Sequence, residues 1–278
     1  MPETVQATFK ADLLAGKTAF ISGGTSGINL GIAKRFASLG ARVAVLGRNP
    51  DKARLAAGEI DAACGVEGAL ALTADVRDYA AVEAALATAA AELGKLDILI
   101  AGQAGNFPAL ALGMSANAFK AVIDIDLIGT FNLFRAGHQH LNLPGASLIA
   151  ITAGQAVRAT PLQSHVCAAK AGVNILLKTL AIEWGPMGIR VNGISPGPIA
   201  DTEGMRRLAP TPEAEAAVRA SAPLGRFGQT DEIGDAAVFL CSPAGQYVTG
   251  TILDVDGGTG AGSASSIRGF GSQARVGS

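Results

Sequence analysis

The hydrophobic residues of this chain fall into short continuous runs that alternate with longer amphipathic stretches. Continuous apolar runs are typical of strands buried on both faces, and strand–helix alternation indicates right-handed crossovers. The pattern therefore predicts an α/β fold, a doubly wound parallel sheet of about seven strands with helices on both faces. The predicted strands are KTAFIS, ARVAVLG, GALALTADV, LDILIAG, ASLIAIT, IRVNGIS and TILDVDG.

The same pattern gives one domain with two short ends. Residues 1–14 precede the first strand and are predicted to be a leader, and residues 15–258 hold the strand–helix alternation. Residues 259–278 are rich in Gly, Ser and Ala, a composition that predicts a flexible or partner-docked tail. A length of 278 residues fits one large α/β domain with a sizeable core.

Composition and charge argue against several classes of function. The net charge is −1 and aromatic residues make up 5% of the chain, which gives no electrostatic or stacking basis for nucleic acid binding. We also expect no secretory signal, because no charged-then-apolar N-terminal segment appears, and no membrane span, because no apolar run reaches 18 residues. His138 and His140 would diverge on a helix, so no metal site is predicted.

The cysteines and the chain end predict a cytoplasmic location. The three cysteines have no CxxC spacing, which indicates reduced thiols. The chain ends in Val276-Gly277-Ser278 and so lacks the peroxisomal tripeptide.

A glycine-rich loop, ISGGTSGINLGIAKRF, follows the first predicted strand and opens an amphipathic helix. Glycines let the backbone approach a pyrophosphate, and a helix N-terminus stabilises its negative charge. The loop therefore predicts a dinucleotide site of the Rossmann type, with an ordinary βα turn as the alternative.

Arg48, at the end of the second predicted strand, bears on which nucleotide would bind. An acidic residue there would accept hydrogen bonds from the ribose of NAD, whereas a guanidinium suits a ribose phosphate. The sequence thus favours NADP(H), with a solvated arginine as the alternative.

Ordered motifs over about residues 14–258 resemble those of the short-chain dehydrogenase/reductase family. They are the glycine loop, Asp75, DILIAGQAGNF, Lys170, EWGPMGIRVNGISPGPI and LDVDGG. The family's T-G-x-x-x-G-x-G loop departs here at Ser22 and at Asn29, which replaces the last glycine. Asn tolerates a left-handed backbone, so we expect the turn to survive. The resemblance implies nucleotide contacts from Gly23, Thr25, Ser26, Gly27, Ile28, Arg48, Asp75, Val76, Gly102, Lys170, Pro196, Gly197, Ile199 and Thr202.

The catalytic set of the carbonyl-reducing members is mostly missing. Those members use a tyrosine, a serine, an asparagine and a lysine, and only Lys170 is retained. Val166 stands at the tyrosine position, Ala153 at the serine position and Asp126 at the asparagine position. Valine and alanine have no titratable proton, so the usual ketone-reducing relay is not available.

Four segments instead resemble 2,4-dienoyl-CoA reductases, most closely the peroxisomal type, which also lacks the tyrosine. The mitochondrial type has its tyrosine fifteen residues before the lysine, where this chain has Gln155. Ala101 and Asp201 depart from the family, which has asparagine at the first position and often glycine at the second. The segments are AGNF at 104–107, DIDLIGTF at 124–131, HVCAAK at 165–170 and GPIADTEGMRRL at 197–208.

This resemblance implies hydride addition from NADPH to a conjugated dienoyl thioester, giving a dienolate that is protonated on carbon. Asp126 and Lys170 are predicted to hold the water that delivers this proton, and Asn106 to donate to the thioester oxygen. Phe107 and His165 are predicted substrate contacts. Asp126 could instead be structural, and His165 could be an acid or a helix-packing residue.

Arginines in the segment between SPGPI and LGRFGQTDE are candidates to bind coenzyme A phosphates. They are Arg206, Arg207, Arg219 and Arg226, and a solvated helix face is the alternative. The resemblance also implies a homotetramer, assembled through helices near 116–140 and 164–183 and the region of the last strand.

Three functions remain open from the sequence. The first is an NADPH-dependent reductase of a 2,4-dienoyl-CoA. The second is an oxidoreductase acting on another carbonyl or activated alkene, and the third is a non-catalytic NADP-binding protein.

Overall fold

All seven predicted strands form one parallel sheet in the order β3-β2-β1-β4-β5-β6-β7. The computed structural model describes residues 8–65 and 67–262, so most of the predicted leader and the tail from residue 263 lie outside it. The strands are β1 (Thr18–Ser22), β2 (Arg42–Gly47), β3 (Leu70–Thr73), β4 (Ile98–Ala101), β5 (Ser147–Ile151), β6 (Arg190–Pro196) and β7 (Ile252–Val255).

Helices follow the strands and cover both faces of the sheet, as predicted. A π-helical turn, Asp124–Ile128, interrupts the predicted helix near 116–140 and separates α4 from α5. The α-helices are α1 (Gly27–Ser38), α2 (Pro50–Cys64), α3 (Tyr79–Leu93), α4 (Ala116–Ile123), α5 (Gly129–Gly137), α6 (Ser164–Trp184), α7 (Glu203–Leu208), α8 (Pro212–Ser221) and α9 (Thr230–Cys241).

Two apolar layers fill the space between the sheet and its helices. Alternation along β1 shows the division, since Phe20 packs with α3, α5 and α6 while Ala19 and Ile21 pack with α1, α2 and α9. Leu14, the last residue of the predicted leader, is also buried in the second layer, and its amide donates to Leu39 O at 2.9 Å.

Helix α6 is the longest helix in the described part of the chain and one face of it is buried. The segment Ser164–Met187 is long and apolar enough to cross a membrane by length and composition alone. Its buried residues Val173, Leu177 and Leu180 pack in the first apolar layer. A helix that covers a sheet meets the same criteria, so the segment is weak evidence for a span.

The strand order reverses between β1 and β4, which places a crevice at their carboxyl ends. β1 pairs in parallel with β2 on one side and with β4 on the other. In doubly wound sheets ligands bind at this switch point, because the loops on its two sides diverge. The fold therefore directs the search for a site to the loops after β1, β2, β4 and β5.

Candidate active site

A cleft of about 490 Å³ lies at the switch point, over the start of α1. It brings together most of the predicted nucleotide contacts. Four of them do not line it, namely Lys170, Ile199, and Pro196 and Gly197 at and just beyond the end of β6. The predicted residues that line it are Gly23, Thr25, Ser26, Gly27, Ile28, Arg48, Asp75, Val76, Gly102 and Thr202.

The loop between β1 and α1 has the features of an anion cradle. Gly23 has φ +69°, and a Cβ there would come within 2.8 Å of Gln103 N, so only glycine fits. Ser26 makes no side-chain bond to the first turn of α1, whereas Asn49 and Asp78 cap α2 and α3. The first amides of α1 thus remain available for a pyrophosphate, and a dinucleotide fits the cleft.

Asn29 has a structural role that differs from the one expected. It lies within α1 in helical conformation, and its Nδ2 donates to Gly102 O at 2.7 Å. A Cβ on Gly102 would lie 2.2 Å from Asn29 Oδ1. Asn29 and Gly102 are therefore matched, because the amide occupies the space that a side chain at residue 102 would need.

Asp75 and two arginines form a charged group at one end of the cleft. Arg77 binds Asp75 through two side-chain hydrogen bonds, of 2.9 and 2.6 Å. The Arg77 guanidinium lowers the pKa of the Asp75 carboxyl to about 2, and the charge of Arg48 contributes in the same direction. Arg48 itself is exposed at the edge of the cleft, beyond the end of β2.

Asp126 and Lys170 meet at the centre of the candidate site. Asp126 Oδ2 lies 3.2 Å from Lys170 Nζ, without the alignment of a hydrogen bond. Oδ1 accepts from Gly105 N at 2.6 Å, and Nζ donates to Ile151 O at 3.0 Å. Both side chains are buried, and the carboxylate stands on the π-helical turn. Turns of this kind are often found at functional sites.

Val166 and His165 occupy the start of α6 beside this pair. Val166 is buried against Val122, in a small cluster that also includes Phe107. His165 is fully buried, and its ring centroid lies 4.4 Å from that of Phe107. Neither ring nitrogen of His165 has a hydrogen-bond partner among the described residues. Asn106, by contrast, is exposed.

The segment after β6 begins with a bend at Asp201. Asp201 has φ +59°, a left-handed conformation that explains why the 2,4-dienoyl-CoA reductase pattern often has glycine there. The bend ends at Thr202, whose hydroxyl donates to Ile199 O and accepts from Met205 N, so that it caps α7. α7 thus starts at the edge of the nucleotide cleft.

The predicted phosphate-binding arginines all have carboxylate partners. Arg206 and Arg207 both bind Glu203, and they hold the pKa of that carboxyl below its usual value. The pairs Arg219–Glu215 and Arg226–Glu232 are likewise on the surface. Of the four, Arg206 lines the cleft. Surface pairs are weak, so these partners can be exchanged for a ligand.

A family model described as "Enoyl-(Acyl carrier protein) reductase" matches residues 23–260, which contain nearly all of the described fold. The chain belongs to the short-chain dehydrogenase/reductase family. Its members bind a nicotinamide cofactor, and this protein is a short-chain oxidoreductase similar to the 2,4-dienoyl-CoA reductases.

Two relatives and one solved structure support that placement in the short-chain family. The peroxisomal 2,4-dienoyl-CoA reductase of Saccharomyces cerevisiae is 41% identical over 91% of this chain and 87% of its own length. The rat enzyme of the same name is 43% identical over 90% of this chain and 86% of its own. A short-chain dehydrogenase structure from Bacillus anthracis is 37% identical, with a TM-score of 0.76, and the match covers 88% of this chain and 96% of that one.

The sequence missed three features of this short-chain reductase site. Arg77 could have been found, because it stands two residues from Asp75, which it binds. The Asn29–Gly102 match could not, because it joins residues 73 positions apart. Gln103 lies within DILIAGQAGNF but was given no role, yet its side chain is buried and bonded to Thr130, which in turn binds the Asp126 backbone.

Because Asn29 fills the space next to Gly102, substitutions at these two residues should have non-additive effects on the free energy of unfolding. Gly102→Ala should lower the free energy of unfolding by about 1–3 kcal/mol, because the added methyl group meets the Asn29 amide. In an Asn29→Ala background the same change should cost less than about 1 kcal/mol. Urea unfolding of the four proteins gives the coupling, and additive effects would contradict the match.

Proposed function

We propose that this protein is an NADPH-dependent reductase of 2,4-dienoyl-CoA esters that works without a catalytic tyrosine. The proposal rests on the buried Asp126–Lys170 pair in a site whose tyrosine and serine positions hold Val166 and Ala153. Relatives at about 40% identity bear the name 2,4-dienoyl-CoA reductase, which supports this substrate class.

The chemistry of a dienoyl thioester suits the residues that remain. A reduced nicotinamide bound in the cleft would supply the hydride for the far end of the diene. Negative charge then develops on the thioester oxygen, where a hydrogen-bond donor is needed, and no carbonyl oxygen must be protonated outright. Asn106 is exposed near this site and has amide donors. Valine at residue 166 is therefore compatible with this reaction. It is not compatible with ketone reduction by the usual relay, which requires a tyrosine there.

Protonation on carbon is assigned to a water held by Asp126 and Lys170. Lys170 has three N–H donors, of which one binds Ile151 O, so the ammonium retains donors for a water or a ribose hydroxyl. Asp126 Oδ2 accepts no hydrogen bond from the described part of the chain and can accept one from that water. His165 is the alternative acid, although Phe107 covers its ring.

NADPH is proposed over NADH because of the charges at the adenosine end of the cleft. Arg48 is exposed there, and a guanidinium binds a phosphate through charge-assisted bonds. Asp75, which would otherwise repel that phosphate, is bound by Arg77. Arg206, at the edge of the cleft, and Arg207 beside it are proposed contacts for the phosphates of coenzyme A.

The wild-type protein should oxidise NADPH in the presence of a 2,4-dienoyl-CoA and should prefer NADPH to NADH. The assay follows absorbance at the nicotinamide band and identifies the enoyl product by mass spectrometry. Ketones, quinones and simple enoyl thioesters serve as the comparison panel. Turnover on those compounds alone would favour a different oxidoreductase, and tight NADPH binding without turnover on any substrate would favour a non-catalytic protein.

Asp126→Ala should lower kcat by about 10²–10⁴-fold while NADPH affinity stays nearly unchanged. The reason is that the carboxylate acts on the proton-delivering water and not on the nucleotide. Lys170→Ala should lower kcat and also weaken NADPH binding, because the ammonium is proposed to bind a ribose hydroxyl as well. Asp124→Asn is the matched control, because this carboxylate lies two residues away and pairs with Lys120. Folded Asp126→Ala protein with near-normal dienoyl-CoA turnover would exclude the relay and make His165 the next residue to test.

A homotetramer is proposed from the exposed apolar residues of two helices. Ile128 lies just before α5 and Phe131 near its start, and Ile175 and Ile182 lie along α6. All four side chains are substantially exposed. Their burial between copies would be favourable. Light scattering should give the mass of four chains at micromolar protein, and a monomeric mass would contradict the proposal.

The cytoplasmic location stays a prediction, and the named relatives are peroxisomal.

A further inference from the structure

Gln103 and Thr130 lie next to the turn that carries Asp126, outside the residues assigned above. We propose that Gln103 is a positioning residue that fixes this turn through Thr130 and so aims the Asp126 carboxylate. The inference deepens the proposed function, since it rests on the role given there to Asp126.

Two consecutive buried hydrogen bonds form a chain that connects Gln103 to the turn. Gln103 Nε2 donates to Thr130 Oγ1 at 3.2 Å, and Thr130 Oγ1 donates to Asp126 O at 2.6 Å. The threonine hydroxyl has a single proton, which it gives to the carbonyl, so it can only accept from Gln103. The direction of the chain is therefore fixed, and it ends on the backbone of Asp126.

The segment after β4 holds Asp126 at two points. Gly105 N donates to the Oδ1 of the carboxylate, and the Gln103 side chain reaches the backbone of the same residue through Thr130. π-helical turns are rare and are frequently found at functional sites, so the bonds around this one are candidates for a functional role. Losing the Gln103 link would leave the Gly105 amide as the remaining one of these two ties between the segment after β4 and Asp126.

The Gln103 side chain does not favour the stability of the fold. This distinguishes a positioning role from a structural one, because a structural residue would stabilise the fold. Its Oε1 is buried without a hydrogen-bond partner among the described residues. A buried acceptor without a donor is unfavourable compared with an apolar group of the same shape. Replacing Gln103 by Met should therefore leave the fold equally or more stable and yet harm the reaction.

The central test is Gln103→Met. Its thermal midpoint should equal or exceed that of the wild type, while kcat on a 2,4-dienoyl-CoA falls about ten-fold, the effect of one lost hydrogen bond. Gln103 also lines the cleft, but Met has a similar length and volume, so NADPH affinity, measured by fluorescence titration, should not change. Gln139→Met is the matched control, because Gln139 also donates one side-chain bond, to Glu83, on the surface away from the site. This control should keep the wild-type kcat.

Thr130 variants test the link itself. Thr130→Val should lower kcat as much as Gln103→Met does, and the double variant should show no further loss, because both changes break one chain. Thr130→Ser keeps the hydroxyl and should retain kcat. Additive losses, or a Thr130→Ser protein as impaired as Thr130→Val, would overturn the proposal.

Hydrogen exchange gives a readout that does not depend on the reaction. In Gln103→Met, the amides of residues 124–131 should exchange faster than in the wild type, and those of α6 should not. Absence of dienoyl-CoA turnover in the wild type would defeat the proposed function, and the exchange rates would still decide the role of Gln103. Unchanged exchange, a lowered thermal midpoint with normal kcat, or weakened NADPH binding would each refute positioning.

Discussion

The burial of one ion pair is the constraint on which the site depends. A charge taken out of water must be paired or hydrogen-bonded, and Asp126 and Lys170 meet this demand with each other and with the Gly105 amide and the Ile151 carbonyl. These partners come from α6, from the end of β5, from the loop after β4 and from the turn before α5. The pair therefore requires that all four segments meet at the carboxyl edge of the sheet.

The tyrosine and serine positions of the site can hold other residues, because the buried ion pair already has its partners. Residue 166 can be a valine, since Asp126 and Lys170 contact each other directly. Ala153 likewise leaves the pair intact. The proposed proton source, a water held by two charged side chains, depends on the position of those side chains. The Gly105 amide and the Ile151 carbonyl supply part of that positioning, and the proposed link from Gln103 through Thr130 supplies the rest.

The fold and the outline of the site could be predicted from the sequence. The seven strands were readable as apolar runs, and the glycine loop located the nucleotide cleft, because both signals are local. What could not be read were contacts between distant residues. Asn29 was expected to adopt a left-handed turn and instead is helical and bonded to Gly102, and the π-helical turn at Asp126 has no periodic signature. The partners of Arg206 and Arg207 were nearby in sequence, yet charge alone did not show that Glu203 binds both.

The π-helical turn also restricts insertions and deletions in this segment of the chain. A π turn is equivalent to one residue inserted into an α-helix, and one residue corresponds to about 100° of rotation. Deleting any single residue of DIDLI would restore a regular helix between Ala116 and Gly137 and still leave an apolar face. It would also turn α4 relative to α5, so that the carboxylate and Val122 could not both face α6. This segment is therefore expected to accept substitutions far more readily than changes in length.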